Sequence, residues 1–465
     1  MSRNDTICAV ATASGTGAIA VIRISGAGSF STALSIFRKN GKSLDIKSIE
    51  PYKAYYGEIF DPIPDDKPMV DDVLATFFKA PHSYTGEDAV EISCHGSYFV
   101  QQKILELLCT RGCRLAQPGE FSKRAFINGK LDLAQAEAVA DLIASQNEAE
   151  HRIAVNQLKG GFSNELRDLR TKLVDLTSLL ELELDFSEED VEFADRTKLY
   201  EILDSSLKHI GKLTDSFRMG NAIKNGIPVA IVGETNTGKS TLLNAILGEE
   251  RAIVSDIAGT TRDTIEETFT IEGLMYRFID TAGIRETSET IEKIGIERTF
   301  KKISEADIVI GMIDGTKTKN EIEMAAKTIT ERVNSLTHKL LLVINKRDLM
   351  DAATLSSLSD PTAFTLISAK NADDVEALKH IIRSNTDAPH LDDNTTLVSN
   401  IRHFEALTHA MDSLQQVKNG MDGNLSADLL AQDLRQALYY IGSITGEVTT
   451  GEVLNTIFSR FCIGK

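Results

Sequence analysis

The middle of the chain alternates short apolar runs with segments whose apolar residues recur every three or four positions. Short runs that end in Gly, Asp or Lys predict buried strands, and the spacing between them predicts helices. Strands that alternate with helices favour a parallel sheet covered on both faces. The predicted strands lie within 227–233, 274–283, 306–314, 338–348 and 363–370, with a helix over 239–248.

The regions on either side have different patterns. Residues 1–120 mix strand-like runs at 18–24, 73–80 and 89–94 with one helical stretch at 97–112, a pattern typical of an α+β domain. Helical spacing then dominates residues 121–222 and returns from about 386 onwards. An α/β unit with neighbouring termini can be inserted into another domain. We therefore expect 121–222 and 386–465 to form one discontinuous helical domain around an inserted unit at 223–385.

Composition narrows the class of protein. With 465 residues, 42% of them hydrophobic and 25% charged, the chain has the composition of several globular domains. No apolar run is long enough to span a membrane, and the polar N-terminus does not resemble a secretory signal. Five cysteines without a CxxC pair indicate reduced thiols, so we expect a cytoplasmic protein without a membrane association. The net charge of −18 argues against nucleic acid wrapping the whole surface.

A phosphate-binding loop is the most specific motif. The segment GETNTGKS, 233–240, fits G-x-x-x-x-G-K-[ST] and stands between a predicted strand and a predicted helix, which is the context that the motif requires. Its backbone N–H groups would face phosphate oxygens, Lys239 would reach the β- and γ-phosphates, and the Ser240 hydroxyl would bind Mg²⁺. The residues assigned to this loop are Gly233, Asn236, Thr237, Gly238, Lys239, Ser240 and Thr241.

Two further motifs predict that the base is guanine. NKRD, 345–348, follows a strand, and its Asp348 can accept from N1–H and the 2-amino group of guanine, a donor pair that adenine lacks. SAK, 368–370, closes over the base from the next strand. Arg347 occupies the variable third position and is assigned no role. The residues assigned to the base are Asn345, Lys346, Asp348, Ser368, Ala369 and Lys370.

The segments between these motifs predict the machinery of hydrolysis. AGTTRD, 258–263, occupies the place of a switch loop, and Thr261 is the candidate for a second hydroxyl ligand of Mg²⁺. DTAG, 280–283, matches the segment that meets the γ-phosphate, but Ile284 stands where Ras-like proteins carry the glutamine that orients water. The residues assigned here to GTP are Ser255, Thr260, Thr261, Asp280, Thr281, Ala282 and Gly283.

These motifs together resemble the MnmE (TrmE) family of tRNA-modification GTPases. The resemblance spans the whole chain, because PGEFSKRAFINGKLDLAQAEAVADLI near the N-terminus, GTTRD, DTAGIRE and the final FCIGK all match. It implies a multidomain α+β and α/β fold: an N-terminal folate-binding α+β domain, a discontinuous helical domain and an inserted Ras-like P-loop G domain. The implied enzyme hydrolyses GTP to GDP.

The resemblance also implies how the missing glutamine is replaced. In the family, G domains dimerise and K⁺ takes the place of an arginine finger, a role that a fixed cation can fill electrostatically. The match gives the K⁺ ligands as Asn236 with Ser255, Ile257 and Thr260 of the switch loop, and gives Glu292 as the catalytic residue that orients water.

The remaining implications concern tRNA chemistry. The family modifies C5 of the wobble uridine (position 34) with an aminomethyl or carboxymethylaminomethyl group, as a homodimer in a heterotetramer with the flavoprotein MnmG (GidA). FAD and NADH belong to that partner. The one-carbon unit comes from methylene-tetrahydrofolate, and a 5-formyl- or methylene-tetrahydrofolate is expected near the N-terminal dimer interface. The matching pocket residues are Arg23, Glu91, Lys130 and Lys465, with Cys462 nearby as a nucleophile or a packing residue.

Two other functions share parts of this pattern. An Era-like GTPase that binds ribosomal RNA would carry the same G motifs but predicts a basic appendage, which the net charge of −18 disfavours. A folate-binding aminomethyl transferase that uses the G domain as a switch differs only in which polypeptide performs the transfer. Glu234 departs from the family's phosphate loop, and we expect its charge to weaken nucleotide binding slightly.

Overall fold

The computed structural model describes residues 5–61, 68–185, 196–249, 267–279, 306–333, 339–351, 354, 356, 361–386, 396–459, 461–462 and 464. They belong to two compact units. The first comprises Met1–Ile143, Gln157–Leu199 and Asn419–Lys465, and the second comprises Ala144–Asn156 and Tyr200–Lys418. The domain boundaries given above remain predictions.

The first unit contains an eight-stranded sheet in the order β4-β3-β5-β6-β7-β2-β1-β8. Neighbouring strands pair antiparallel except β1 and β8, which are parallel. The predicted strands at 18–24, 73–80 and 89–94 are confirmed as β2, β6 and β7. The strands are β1 (Thr6–Val10), β2 (Ile19–Ser25), β3 (Phe37–Lys39), β4 (Lys42–Ser43), β5 (Ala54–Phe60), β6 (Met69–Phe78), β7 (Ala89–His95) and β8 (Cys113–Leu115).

One face of this sheet is covered by α1 (Ser29–Ile36) and α2 (Tyr98–Thr110). Alternation along β2 sends Ala20, Ile22 and Ile24 into the core and Arg23 to the opposite face. Cys94 and His95 of β7 likewise point to opposite faces of the sheet, since Cys94 is buried and His95 is exposed. These two neighbours in sequence therefore do not form a Cys–His catalytic pair.

The other helices of this unit are amphipathic and pack in pairs. Helix α6 (Gly161–Asp185) packs along α12 (Ala427–Thr445), and an ion pair of 2.5 Å joins Arg435 to Glu181. Helix α13 (Gly451–Phe458) packs on α3 (Glu120–Ile127). Helix α4 (Leu133–Ala144) supplies Leu133 and Ala136 to the same apolar cluster. Helices from both ends of the sequence thus pack together, as the helical spacing predicted.

The second unit is built on a six-stranded sheet in the order β10-β11-β9-β12-β13-β14. The prediction of a parallel sheet is confirmed for β11, β9, β12, β13 and β14. The edge strand β10, which pairs antiparallel with β11, was not predicted, and β14 is only two residues long within the predicted 363–370. The strands are β9 (Ile227–Gly233), β10 (Glu267–Ile271), β11 (Leu274–Phe278), β12 (Ile308–Asp314), β13 (Lys339–Asn345) and β14 (Thr365–Leu366).

Helices cover both faces of this sheet. Helices α8 (Lys239–Glu249) and α10 (Ala372–Ser384) pack on one face, and α9 (Lys319–Arg332) packs on the other. Because strands buried on both faces need apolar residues at every position, β9 and β12 are almost continuously apolar.

Three helices outside the G motifs also belong to this unit: α5 (Glu148–Leu158) up to Asn156, α7 (Arg196–Asn225) from Tyr200 onwards, and α11 (Ile401–Asp422) up to Lys418. Ala149 and Ile153 of α5 and Ile223 of α7 join the core cluster that contains the sheet residues. Phe217 stacks on Phe404 of α11 with ring centroids 4.3 Å apart. Within the described residues, no helix combines the length and the apolar character that crossing a bilayer requires.

Candidate nucleotide-binding site

The phosphate-binding loop joins the end of β9 to the start of α8. Gly233 and Gly238 have φ angles of +154° and +96°, which L-residues rarely adopt. A Cβ on Gly233 would overlap the Met312 carbonyl oxygen, and one on Gly238 would overlap the Asn345 amide nitrogen. The loop therefore needs glycine at both positions.

Lys239 lies across this loop at the first residue of α8. Its Nζ donates to the carbonyl oxygens of Gly233 at 3.0 Å and Glu234 at 2.7 Å. Burial lowers the pKa of Lys239 from its ordinary value of 10.5. A partly desolvated ammonium gains more from an anionic acceptor than from a carbonyl, so this side chain suits a phosphate group.

The other residues of the loop differ in exposure. Thr237 is buried and its hydroxyl donates to the Glu234 carbonyl at 3.0 Å, whereas Asn236 is exposed with a φ of +63°. Ser240 and Thr241 occupy the first turn of α8, with Ser240 half-buried and Thr241 exposed. This places the Ser240 hydroxyl at a helix N-terminus, where anions and their counter-ions bind.

Glu234 has a partner that the sequence did not reveal. Its carboxylate is ion-paired with Lys317, which follows β12. The pairing offsets the negative charge that we expected to weaken phosphate binding.

Asn345 connects the phosphate loop to the base-binding loops. Its side chain is 3% exposed, its Nδ2 donates to the Thr237 carbonyl at 2.8 Å, and its Oδ1 accepts from the Ala369 N–H at 2.9 Å. The amide therefore joins all three loops through one buried group. Loops that come from β9, β13 and β14 meet here because parallel strands all end at the same edge of the sheet.

Lys346 follows in a left-handed conformation with a φ of +65°. Its Nζ pairs with Asp314 at 2.6 Å, and Asp314 also accepts from the Thr316 N–H at 3.0 Å. Burial raises the pKa of Asp314, but the bonds from Lys346 and Thr316 lower it further, so the net pKa lies below its ordinary value. This ion pair fixes the NKRD segment against the end of β12.

Asp348 is the group expected to recognise guanine. It is exposed, and a hydrogen bond from the Ser368 side chain lowers the pKa of Asp348, with the charge of Lys370 acting in the same direction. A carboxylate that stays ionised is the acceptor that the N1–H and 2-amino donors need. The structure thus brings Asp348, Ser368 and Lys370 together.

Three residues of this site were missed by sequence reasoning: Asp314, Lys317 and Asp374. Asp314 is the last residue of β12 and Lys317 lies just after it, where a strand that ends beside the NKRD strand was the only available signal. Asp374 is 8% exposed on α10 and binds both base-binding loops, including Arg347, to which no role was assigned.

Ten of the predicted positions lie outside the described residues. They are Ser255, Ile257, Thr260, Thr261, Asp280, Thr281, Ala282, Gly283, Glu292 and Lys465.

Two of the predicted folate residues, Arg23 and Glu91, lie on the face of the first unit's sheet opposite α1 and α2. Arg23 and Glu91 are cross-strand neighbours, and Arg23 Nη2 lies 2.7 Å from Glu91 Oε1. The guanidinium carbon lies 5.1 Å from the ring centroid of Tyr84 and 5.8 Å from that of Phe121. The site therefore has a partly exposed carboxylate paired with a guanidinium that lies beside aromatic rings.

Two other chain segments approach this site. The carbonyl of Gly464 lies 3.5 Å from Arg23 Nη1. Lys130 is exposed, and its aliphatic stem lies against Gly86, where an added Cβ would be 3.2 Å from Lys130 Cγ. Cys462 is exposed, and its carbonyl accepts from the Gly119 N–H at 3.4 Å.

A partly buried charge network supports the same region. Arg124 of α3 pairs with Asp5 at 2.7 Å, Glu87 at 3.1 Å and Glu120 at 3.2 Å. Arg114 pairs with Asp5 and Glu120, each at 2.7 Å. The PGEFSKRAF segment therefore anchors α3 to β1, to β8 and to the loop that carries Tyr84.

The cysteines form no disulfide. Cys8, Cys94, Cys109, Cys113 and Cys462 are all free thiols. Within the described part of the chain, no group of three or more His, Cys, Asp or Glu side chains is arranged to hold a metal ion. Cys109 and Cys113 do not share a helix, because α2 ends before Cys113 begins β8.

Comparison with known proteins extends over the whole chain. A family model described as the MnmE helical domain matches residues 133–462, and one described as the N-terminus of the GTP-binding protein TrmE matches residues 6–130. The tRNA modification GTPase MnmE of Bacteroides thetaiotaomicron is 50% identical over 471 aligned positions, which cover 99% of each chain. Its counterpart in Flavobacterium johnsoniae is 52% identical and covers 100% of each chain.

Among solved structures, a single-residue variant of Aquifex aeolicus Era bound to GDP.AlF4- is 28% identical over 40% of this chain and 66% of its own, with a TM-score of 0.26. A TM-score this low supports no conclusion about fold. The relatives that match from end to end share one name, and half of their residues are identical to those of this chain. The chain belongs to the MnmE family of tRNA modification GTPases.

Proposed function

We propose that this protein hydrolyses GTP and uses that cycle to modify tRNA, with MnmG as its partner, at C5 of the wobble uridine. The observation that carries the GTP part is the meeting of three loops at Asn345, which joins the phosphate loop to the guanine-recognition motifs. The tRNA part is supported by end-to-end similarity to relatives named tRNA modification GTPases. The Era-like alternative has no comparable support.

Magnesium is part of the proposal. The Ser240 hydroxyl at the start of α8 suits it, because hard cations take oxygen ligands, and Thr261 would be the second protein ligand. Bound there, the ion would neutralise charge on the phosphates. Lys239 and the N–H groups of the loop would hold the phosphates in place.

We further propose that K⁺ and Glu292 together compensate for the absence of a glutamine at position 284. Asn236 is the one proposed K⁺ ligand within the described residues, and its exposure suits a site that is completed when two G domains meet. A fixed monovalent cation would supply positive charge there. Glu292 would orient the attacking water.

The folate proposal rests on the region around Glu91. Tyr84, which is partly exposed, provides aromatic surface, and Glu91 is a carboxylate that can accept from the donors of a pterin ring. Arg23 is 16% exposed and bonded to Glu91, so its role here is to orient that carboxylate. Lys130 and Lys465 remain to bind the acidic tail of the folate.

A homodimer through the N-terminal sheet is also proposed. The face opposite α1 and α2 carries a row that crosses four strands and is apolar at three of its four positions: Tyr56 pairs with Leu74, Leu74 with Ser93, and Ser93 with Val21. Tyr56 is 63% exposed and Leu74 is 42% exposed. Exposed apolar rows of this kind are typical of protein interfaces.

The net charge of −18 bears on how tRNA is bound. Because phosphate contacts need Lys and Arg, we propose that MnmG supplies much of the positive surface, and that the complex acts in the cytoplasm, where tRNA and GTP are available.

The test is a reconstituted modification assay with tRNA, GTP, methylene-tetrahydrofolate and an ammonium source. Modified wobble uridine is expected only when both this protein and MnmG, with FAD and NADH, are present. Modification by this protein alone would support the aminomethyl transferase alternative. GTP turnover without any modification in the complete mixture would contradict the tRNA proposal and leave GTP hydrolysis standing.

A further inference from the structure

Asp374 is a buried carboxylate between the two loops that are expected to hold the guanine base. It is the third residue of α10 and is 8% exposed. Burial of an ionised group is costly unless its oxygens have strong partners. The partners of Asp374 therefore indicate why an acid occupies this position.

Each oxygen of Asp374 binds a different loop. Oδ2 accepts from the Ser368 N–H at 2.7 Å, and Oδ1 lies 3.0 Å from Arg347 Nη2. Ser368 begins the SAK segment, and Arg347 precedes Asp348 in the NKRD segment. One carboxylate thus links the two motifs that close on the base.

Further contacts make this link specific. The Arg347 N–H donates to the Ile367 carbonyl at 3.0 Å, so the two loops are also joined through their backbones. The Ser368 side chain in turn bonds to the Asp348 carboxylate. The chain of contacts runs from Asp374 to Ser368 and Arg347, and from both of these to Asp348.

Ordinary helix capping does not explain why an acid occupies position 374. Asn371 already caps α10 by accepting from the N–H groups of Asp373 and Asp374. Asp373, the neighbouring acid in the same turn, is exposed. The two acids favour the helix N-terminus equally by charge, but only Asp374 is directed at the base-binding loops.

Resting on the proposed binding of GTP, we propose that Arg347 and Asp374 are positioning residues for guanine recognition. They hold Asp348 and the SAK segment at a fixed separation, so that Asp348 can accept from both N1–H and the 2-amino group. The selectivity of the site for guanine over hypoxanthine, which lacks the 2-amino group, depends on this separation.

The experiment compares GDP with IDP, because the two differ only in that amino group. Dissociation constants for both are measured by calorimetry on the full chain, for the wild type and for Asp374→Ala, Asp374→Asn, Arg347→Ala and Arg347→Lys. Asp373→Asn is the matched control, since it removes an acid from the same helical turn without touching either loop.

The wild type is expected to prefer GDP, and the preference should fall about tenfold in Asp374→Ala and Arg347→Ala, the effect of losing one charge-assisted hydrogen bond. Asp374→Asn should also lose preference, because its amide places a donor against the Arg347 donor. Arg347→Lys should retain part of the preference for GDP over IDP, and Asp373→Asn should retain all of it.

A preference that stays within about twofold of the wild type in both Asp374→Asn and Arg347→Ala would overturn the inference, as would equal weakening of GDP and IDP. The side chain of Arg347 is half exposed, so Arg347→Ala decides the matter even if Asp374→Ala fails to fold. A wild type that binds neither nucleotide would instead contradict the proposed function.

Discussion

At the scale of single residues, the site depends on positions where only one side chain fits. Gly238 combines a φ of +96° with contact against the Asn345 amide, which itself joins three loops. Adding a methyl group there both strains the backbone and displaces the amide. Position 238 therefore affects the phosphate loop and the base-binding loops together.

Gly238→Ala should abolish detectable GDP binding, because the left-handed backbone costs roughly 1–2 kcal/mol with a Cβ and the overlap with Asn345 adds to this. Calorimetric titration with GDP measures the loss. Gly248→Ala is the control: this glycine lies near the end of α8 with no atom within 4 Å of an added Cβ. Wild-type affinity in Gly238→Ala would contradict the role given to Asn345.

Glu292 is the residue on which the proposed hydrolysis depends most. Glu292→Ala should reduce the GTP turnover rate by roughly a hundredfold while leaving the affinity for GTP nearly unchanged, because a residue that orients water acts in the transition state. Phosphate release and nucleotide titration separate the two effects. Glu289→Ala removes another acid from the same segment and is the control. Near-normal turnover in Glu292→Ala would exclude Glu292 as the residue that orients the water.

At this scale, sequence patterns indicated the candidate binding groups but not the groups that hold them in place. Asn345, Asp348 and Lys239 lie in short motifs whose spacing is fixed by local chemistry. Asp374 and Lys317 each form an ion pair with a residue far away in sequence, Arg347 and Glu234 respectively. Their contacts depend on which strands are adjacent and in what register, and no local pattern encodes that.

At the scale of elements, α3 is held by charge as much as by apolar packing. Glu120, which is 4% exposed, accepts from Arg114, Arg124 and the Gln117 N–H. Burial raises the pKa of Glu120, but the bonds from Arg114, Gln117 and Arg124 lower it further, so the net pKa is below its ordinary 4.5. The contribution of Glu120 to stability is therefore present above pH 4.5 and is lost as the pH falls through the lowered pKa.

Wild-type protein should accordingly lose thermal stability between about pH 5 and pH 3, since the unfolded chain binds more protons than the folded one in that range. In Glu120→Gln the midpoint of thermal unfolding should be lower at pH 6 and should change less with pH. Calorimetric scans across this range measure both effects, and Glu106→Gln, an exposed acid on α2, serves as the control. An unchanged slope in Glu120→Gln would show that the network does not stabilise α3.

The elements themselves were mostly predictable. Continuous apolar runs such as β9 and β12 have few alternatives to a buried strand, and the long helices repeat their apolar spacing many times. The edge strand β10 was missed because its residues, Glu267 to Ile271, alternate too briefly to be distinguished from a loop. It becomes a strand through its antiparallel pairing with β11.

At the scale of the whole molecule, the proposed mechanism needs two copies. Glu292 is assigned the water that Ile284 cannot orient, and the charge stabilisation that an arginine finger would give is assigned to K⁺ enclosed between paired G domains. The acidic surface of the chain, with its net charge of −18, is compatible with attracting cations.

Turnover in K⁺ should exceed turnover in Na⁺ at equal ionic strength by about a hundredfold or more, because Na⁺ is too small for the same set of ligands. Steady-state phosphate release in the two salts gives the ratio. Sedimentation with GDP and aluminium fluoride should show closer association in K⁺ than in Na⁺. Equal rates in both salts would refute the ion assignment while leaving guanine binding intact.

The cluster that unites α5 and α7 with the nucleotide-binding sheet limits how the enzyme can be dissected. Ala149 and Ile153 pack into the same core as Ile231 and Phe278, and the Ala149 N–H donates to the Gly273 carbonyl at 3.4 Å. An excised fragment of residues 223–385 would expose to water the apolar residues of the sheet that α5 and α7 cover in the full chain. Rates measured on such a fragment would come from a domain with part of its core exposed, and a longer piece that begins at residue 200 would restore only one of the two missing helices.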